Sequence, residues 1–251
     1  MKLVLPREHG SWGILFAPLL VGTIVAGAGW AHLLLFSGAL AAFLAAHPLI
    51  LWLKNPQKHK AMLRWTIGYG VAALLFGLPL LYAYHPLFWV VAGAGLTLLL
   101  NIWFAVTKRE RHLFNDIVAI GGLSLGGVAA YLIGAGTQMW SFEALWIACA
   151  PLLLFIGSAL HVKTMIREKG NLRFKRLAAG YHLLLLVAPM LTAALWPDVF
   201  PYPWLWLAYL VSALRTWLTP FGATRRPLTI GLIEIGNTVW FVIVACIALG
   251  S

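Results

Sequence analysis

AHLLLFSGALAAFLAAHPLILWLKNPQKHK, residues 31–60, holds the pattern that decides the fold. From Ala31 to Leu53 there is no Lys, Arg, Asp or Glu, and the next seven residues bring Lys54, Lys58 and Lys60. An α-helix rises 1.5 Å per residue, so about 20 apolar residues cross a bilayer core of roughly 30 Å. The run is continuously apolar and does not alternate, which selects a helix over a barrel strand. A cluster of Lys directly after such a span reads as a cytoplasmic anchor.

The same pattern repeats along the chain. Apolar spans read as 11–28, 31–53, 62–84, 87–107, 114–134, 141–162, 177–196, 203–219 and 228–249. Of 251 residues, 62% are hydrophobic and 10% charged, against about 25% charged in a soluble domain. This composition excludes a water-soluble globule, and the sequence predicts a single integral membrane domain over 1–251, an all-α bundle of nine transmembrane helices. The net charge of +11 does not point to nucleic acid, because the basic residues lie in short clusters between spans. Lys2 and Arg7 precede span 1, and Lys54, Lys58, Lys60 and Arg64 follow span 2. Lys108, Arg109 and Arg111 follow span 4, and Lys163, Arg167, Lys169, Arg173, Lys175 and Arg176 follow span 6. Arg215, Arg225 and Arg226 lie between spans 8 and 9. All 18 therefore fall on one side, and the intervening loops carry Glu143 and Asp198 instead. The expectation is an amino terminus inside and a carboxyl terminus outside. A cleaved signal peptide over 1–28 is the competitor, but its apolar run exceeds the 7–15 residues of an h-region. Cys149 and Cys246 lie inside spans and form neither a disulfide framework nor a metal spacing.

Ionisable and amide groups inside spans are costly and are candidates for function. Asp116 falls in the first turn of span 5, Arg215 near the end of span 8, and Glu234 and Asn237 within span 9; Asn101 lies in span 4. Arg215 and Glu234 read either as a mutual structural pair or as part of a site. Asp116 reads either as a helix cap or as a site residue. His32 and His85 are expected in solvent on the outer side, and His9, His47, His59, His112 and His161 at the inner face. The inner histidines and Glu8 have no tight metal-ligand spacing, so no metal is assigned. Gly122 and Gly126 in span 5 make a small-xxx-small pair suited to close helix packing. Pro6-Arg7-Glu8-His9-Gly10-Ser11-Trp12 reads as a re-entrant or capping element at the inner mouth, with an interfacial anchor as the alternative. His47 followed by Lys54 and His161 followed by Lys163 hint at a parallel four-helix pseudo-repeat.

The PREHGSW string (6–12), the basic stretches after His47 and His161, and KRERHLFND (108–116) together resemble the YwiC-like family. That likeness implies a bacterial membrane protein, located in the cytoplasmic membrane, and by itself no activity. More distantly, REHGSWGILFAPLLVG (7–22) and KRERHL (108–113) are similar to UbiA-type intramembrane prenyltransferases. This second likeness implies a UbiA-like nine-helix bundle with its working loops after helices 2 and 6, and Lys108 and Arg109 as phosphate contacts. UbiA-type enzymes hold Mg²⁺ and diphosphate with two Asp-rich motifs. Here the first corresponds to His47–Asn55, which has no carboxylate, and the second to HVKTMIREKGN (161–171), whose one acid is Glu168. A hard cation needs carboxylate and phosphate oxygens, so Mg²⁺ is not expected and no cofactor is implied.

The resulting expectation is a basic, histidine-containing cytoplasmic pocket for an anionic, isoprenoid-phosphate-like lipid, with other membrane lipids as surroundings and no nucleic acid. Its ligand contacts would be Arg7, Asn55, Lys108, Arg109, Lys163 and Arg167. If the chain is a divergent transferase, His9, His47 and His161 are the candidate acid–base groups. The alternatives are a transporter for a small anion or lipid and an assembly factor of a membrane complex. The sequence assigns no oligomeric state.

Overall fold

The computed structural model describes residues 4–5, 9–136, 141–224 and 226–250. Among them are nine helices and no strand: α1 (His9–Ala26), α2 (Trp30–Lys54), α3 (Lys60–Ala83), α4 (Leu87–Val106), α5 (Leu113–Gly134), α6 (Phe142–Ile166), α7 (Leu172–Leu195), α8 (Trp206–Leu218) and α9 (Pro227–Gly250). Seven of them, α2 to α7 and α9, are long and apolar enough to cross a membrane. The other two are shorter. The apolar part of α1 is Gly10–Ala26, and α8 has 13 residues, a rise of about 20 Å.

Helix ends differ from expectation where local chemistry sets them. Pro201 and Pro203 lack the N–H that a helix interior needs, so α8 begins at Trp206 and not at 203. The residues ahead of it, Phe200, Tyr202 and Leu205, are buried. α7 begins at Leu172, before the expected 177, because Asn171 caps it: the Phe174 N–H donates to Asn171 Oδ1 at 3.1 Å. His9 opens α1, so His9–Trp12 belong to the helix and not to an element preceding it; Pro6, Arg7 and Glu8 lie outside the described residues. Pro18, Pro48, Pro79, Pro151 and Pro189 all stand inside helices.

The chain divides into two compact units, 1–148 and 149–251, with the boundary inside α6. In the first unit α2 packs on α3 and α4, and α5 packs on α1, α2 and α4. Glycine brings these backbones together. A Cβ on Gly22 would stand 2.1 Å from the Gly127 carbonyl, and one on Gly122 would stand 2.2 Å from Thr97 Oγ1 of α4. Gly126 faces Leu19 of α1, so the Gly122 and Gly126 pair serves packing, each against a different neighbour. Leu80, Leu87, Val90, Val128 and Leu132 form the apolar centre beside Ala31. Lys54 at the end of α2 pairs with Glu110 in the turn after α4, so these two ends lie at one level.

In the second unit α8 packs against both α7 and α9. The Tyr209 hydroxyl donates to the Ala150 carbonyl at 3.1 Å, and the Tyr181 hydroxyl to the Leu153 carbonyl at 2.9 Å, so both tyrosines spend their polar atoms on α6. The Tyr209 and Phe241 rings lie 5.7 Å apart. Outward faces remain apolar: Leu183, Leu184, Leu191, Leu232, Val239 and Ile243 are exposed, as a helix set against lipid requires.

Candidate functional site

α8 carries Ser212, Arg215 and Thr216 at i, i+3 and i+4, which puts them on one helical stripe, and Thr219 caps the helix at its end. That stripe is turned inward. Ser212 and Thr216 are fully buried, and Thr219 is buried as well. The Arg215 side chain is 7% exposed, and its Nη1 pairs with Glu234 of α9, itself 14% exposed. Arg215 Nη2 donates to Ser158 Oγ of α6 at 3.3 Å and to Ser212 Oγ at 3.2 Å. The Arg215 Nε–H, also buried, has no partner.

Two histidines extend the cluster. His182 of α7 is fully buried, and its Nδ1–H donates to the Ala178 carbonyl at 2.7 Å. That bond fixes the tautomer and leaves Nε2 to accept from the Ser212 hydroxyl at 3.1 Å. The hydrogen bonds therefore run in one direction, from Arg215 through Ser212 and His182 to the α7 backbone. Gly157 makes room for this ring: a Cβ there would meet His182 Nε2 at 3.0 Å. Thr216 spends its proton on the Ser212 carbonyl at 3.0 Å, so its oxygen accepts from Nδ1 of the buried His161 at 3.2 Å. Lys175 Nζ, at the start of α7, donates to the Thr216 and Thr219 carbonyls at 2.8 and 2.7 Å. It thereby satisfies carbonyls that the end of α8 leaves open.

Beside this network lies a cavity of about 240 Å³ lined by His161, Met165, Arg215, Leu218, Thr219, Ile230, Ile233 and Glu234. Its lining is divided, with four polar side chains and four apolar ones. Asn237 stands three residues after Glu234 on the same side of α9. It is buried, and neither its Oδ1 nor its Nδ2 has a partner.

Of the residues expected in a site, His161, Arg215 and Glu234 meet at this cavity. Lys163 is buried in the last turn of α6 and Arg167 is exposed just beyond it. The remainder fall in the first unit. His47 is half-buried on α2, and Asn55, Lys108 and Arg109 are exposed in turns. Asn55 Oδ1 accepts from the Lys58 N–H at 3.1 Å, a turn-forming bond. Asp116 is half-buried in the first turn of α5, but the cap of that helix is His112, whose Nδ1 accepts from the Phe114 N–H at 3.2 Å. Asn101 Nδ2 turns back to the Thr97 carbonyl at 2.8 Å. Arg7 lies outside the described residues, as does the side chain of His9. The expected solvation of His32 is incorrect: the residue is buried. Its Nε2–H donates to the Ala130 carbonyl at 3.0 Å and its Nδ1 accepts from the Gly29 N–H at 3.1 Å. Close helix packing at this end and the unfilled first turn of α2 together draw the ring inward. Among the described residues no three of His, Cys, Asp and Glu come together as a metal-ligand set.

A model of the YwiC-like protein family matches residues 5–131. An uncharacterized protein of Bacillus subtilis, YwiC, is 36% identical over 249 residues, covering 98% of this chain and 98% of its own length. The chain belongs to the YwiC-like family. Another similar protein, an uncharacterized one of Haemophilus influenzae, is 30% identical over 253 residues, 99% of each chain. No solved structure matches. With its seven span-length apolar helices, this YwiC-like chain is a polytopic membrane protein. The family model ends before α6, so the polar cluster of α6 to α9 lies beyond its matched residues, whereas both YwiC-like relatives align along nearly the whole chain.

Proposed function

We propose that the protein binds the anionic head of a membrane amphiphile, of isoprenoid-phosphate type, in the cavity of its second unit. Arg215 and His161 contact the head directly, without Mg²⁺. One observation carries this reading: Arg215 lines the cavity, its side chain is only 7% exposed, and its buried Nε–H has no partner. A buried donor left unmade costs about 1–3 kcal/mol, and a group of this kind calls for an explanation such as a missing ligand. The lining supports an amphiphile, since Met165, Leu218, Ile230 and Ile233 lie beside the polar end. At about 240 Å³ the cavity is below the roughly 300–1,000 Å³ of sites that enclose a drug-sized ligand, so it takes a head and leaves the chain of the lipid outside. Lys163, Lys175 and Arg215 against Glu234 leave the surroundings positive, which attracts an anion and repels a divalent cation. In this reading the bundle is UbiA-like in its order of helices. The exposed Lys108, Arg109 and Arg167, with Arg7, draw anionic lipid to the cytoplasmic face of the membrane. His9 and His47 belong to that same face.

The test is binding of geranyl monophosphate to the purified protein in mild detergent, with EDTA and then with Mg²⁺. Geraniol and inorganic phosphate serve as controls for tail and head alone. Binding is expected in EDTA, unchanged or weakened by Mg²⁺. Each charge-assisted hydrogen bond lost is worth about 1.5–3 kcal/mol. The double variant Arg215→Met/Glu234→Met, which removes both charges and leaves neither unpaired, should therefore bind about 10- to 100-fold more weakly. Binding that needs Mg²⁺, or that the double variant retains in full, overturns the reading.

A further inference from the structure

We propose that Glu234 occupies the place of the ligand's anionic group, so that binding an anion releases Glu234 from Arg215 and loads it with one proton. This rests on the reading above, in which an anionic head enters the cavity, and adds to it a proton-coupled exchange. Arg215 is held from two sides: Nη2 by Ser158 and Ser212, and Nη1 by Glu234. The serines fix the guanidinium to α6 and α8, so it is the cation that stays in place while its anion changes. Glu234 and Arg215 both line the cavity, and an entering anion meets the Arg215 charge already neutralised by a carboxylate.

Two anions crowded on one guanidinium in a water-poor site repel each other, and the carboxylate is the member that can neutralise by protonation. The exchange balances: the Glu234 carboxylate, one proton and the anion give the Glu234 carboxylic acid and the anion on Arg215. The charge of the site is the same before and after. The other titratable or charged groups on the helices around Glu234 are His161 and Lys163 on α6, with Cys149 and, at the opposite end of that helix, Glu143; Arg173, Lys175, Arg176, Tyr181 and His182 on α7; Tyr209 and Arg215 on α8; and Cys246 on α9 itself. Lys175 is committed to the carbonyls of Thr216 and Thr219, and His182 to Ala178 and Ser212. Glu234 is the one carboxylate on α7, α8 and α9. A protonated Glu234 needs a hydrogen-bond partner, and Asn237, three residues on along the same side of α9, keeps both amide atoms buried and unpartnered. In the exchanged state the Glu234 hydroxyl donates to Asn237 Oδ1.

The sign follows from linkage. A proton taken up on binding makes the anion bind more tightly as pH falls, by up to tenfold per pH unit while Glu234 is ionised in the free protein. The probe is octanesulfonate, whose head stays ionised over the range used, so any proton taken up belongs to the protein. Titration calorimetry in two buffers of different ionisation enthalpy, against a blank of empty micelles, reads the proton number directly. One proton per sulfonate is expected. Glu234→Gln should take up none, lose the pH dependence, and bind more tightly at high pH because no carboxylate competes for Arg215. Wild-type binding with no proton uptake overturns the exchange and leaves the lipid-head reading standing. Proton uptake that persists in Glu234→Gln places the proton on a histidine and also overturns it. Absence of both sulfonate and geranyl monophosphate binding removes the lipid-head reading and this inference together. If Glu234→Gln does not fold, the proton number and pH slope of the unmodified protein decide the matter alone.

Discussion

Lys108 holds a backbone conformation that glycine normally takes. Its φ is 59°, and the Arg109 N–H closes back on the Phe104 carbonyl at 2.7 Å, the six-to-one bond of a Schellman ending for α4. A side chain in this left-handed region costs about 1 kcal/mol, so Lys108→Gly should raise stability by about that amount, read as a higher midpoint in thermal unfolding in detergent. An unchanged or lower midpoint would mean that the lysine makes a compensating contact. If Lys108 is a phosphate contact, the same variant is more stable and binds anionic lipid less well. The sequence marks Lys108 as a basic loop residue but says nothing of its φ. The candidate site is legible at the residue scale in part. Arg215, Glu234 and Asn237 stand out because charges and amides are rare in apolar spans, and their pairing or burial follows from the cost of leaving them in lipid. His182 is equally anomalous in AGYHLLLL (179–186) and carried the same signal. Ser158, Ser212 and Thr216 carry none, since small hydroxyls are ordinary in membrane helices and only tertiary neighbours show what they bond. His32 misleads for the opposite reason: a histidine near a span end reads as solvated until the carbonyl of Ala130 is seen beside it.

Helix α8 depends on a residue from another helix for its ending. Its last carbonyls receive Lys175 Nζ, a cation placed where the helix dipole is negative. Removing the ammonium while keeping the stem, Lys175→Met, should cost about 1–2 kcal/mol, with the loss concentrated at the end of α8. Faster amide exchange at residues 217–219 together with a lowered melting midpoint checks this. A variant that melts as the wild type, with protection at that end unchanged, would show that water replaces the ammonium. The elements were largely legible in the sequence, because a run of about 20 apolar residues has few alternatives to a helix. Their ends were less so. Nothing in hydropathy distinguishes Asn171 as the residue that starts α7, carrying Arg173, Lys175 and Arg176 onto the helix. It is this start that lets Lys175 face α8. The prolines at 201 and 203 do carry a readable signal, and they shorten α8 at its beginning by removing the N–H groups its first turns would use.

At the scale of the whole chain, the segregation of Lys and Arg onto alternate loops predicts that every helix crosses, α8 included. Thirteen residues rise only about 20 Å, less than the roughly 30 Å of a hydrocarbon core, so α8 is the element on which the topology turns. The bonds from Lys175 at the start of α7 to Thr216 and Thr219 at the end of α8 return the chain to the level from which α7 set out. Phe200, Tyr202 and Leu205, in the turn ahead of α8, are buried. The same logic operates in the first unit, where Lys54 and Glu110 tie the end of α2 to the turn after α4. The expected outcome is therefore that reporters inserted in the α2–α3, α6–α7 and α8–α9 connections are active in the cytoplasm, while one fused after Gly250 is active outside. A cytoplasmic carboxyl terminus with the other fusions unchanged would mean that α9 does not cross. An α8–α9 reporter active outside would mean that α8 turns back within the membrane. In that case Arg215, Arg225 and Arg226 would face the outer side against the positive-inside rule, and the cavity beside Arg215 would open to the exterior.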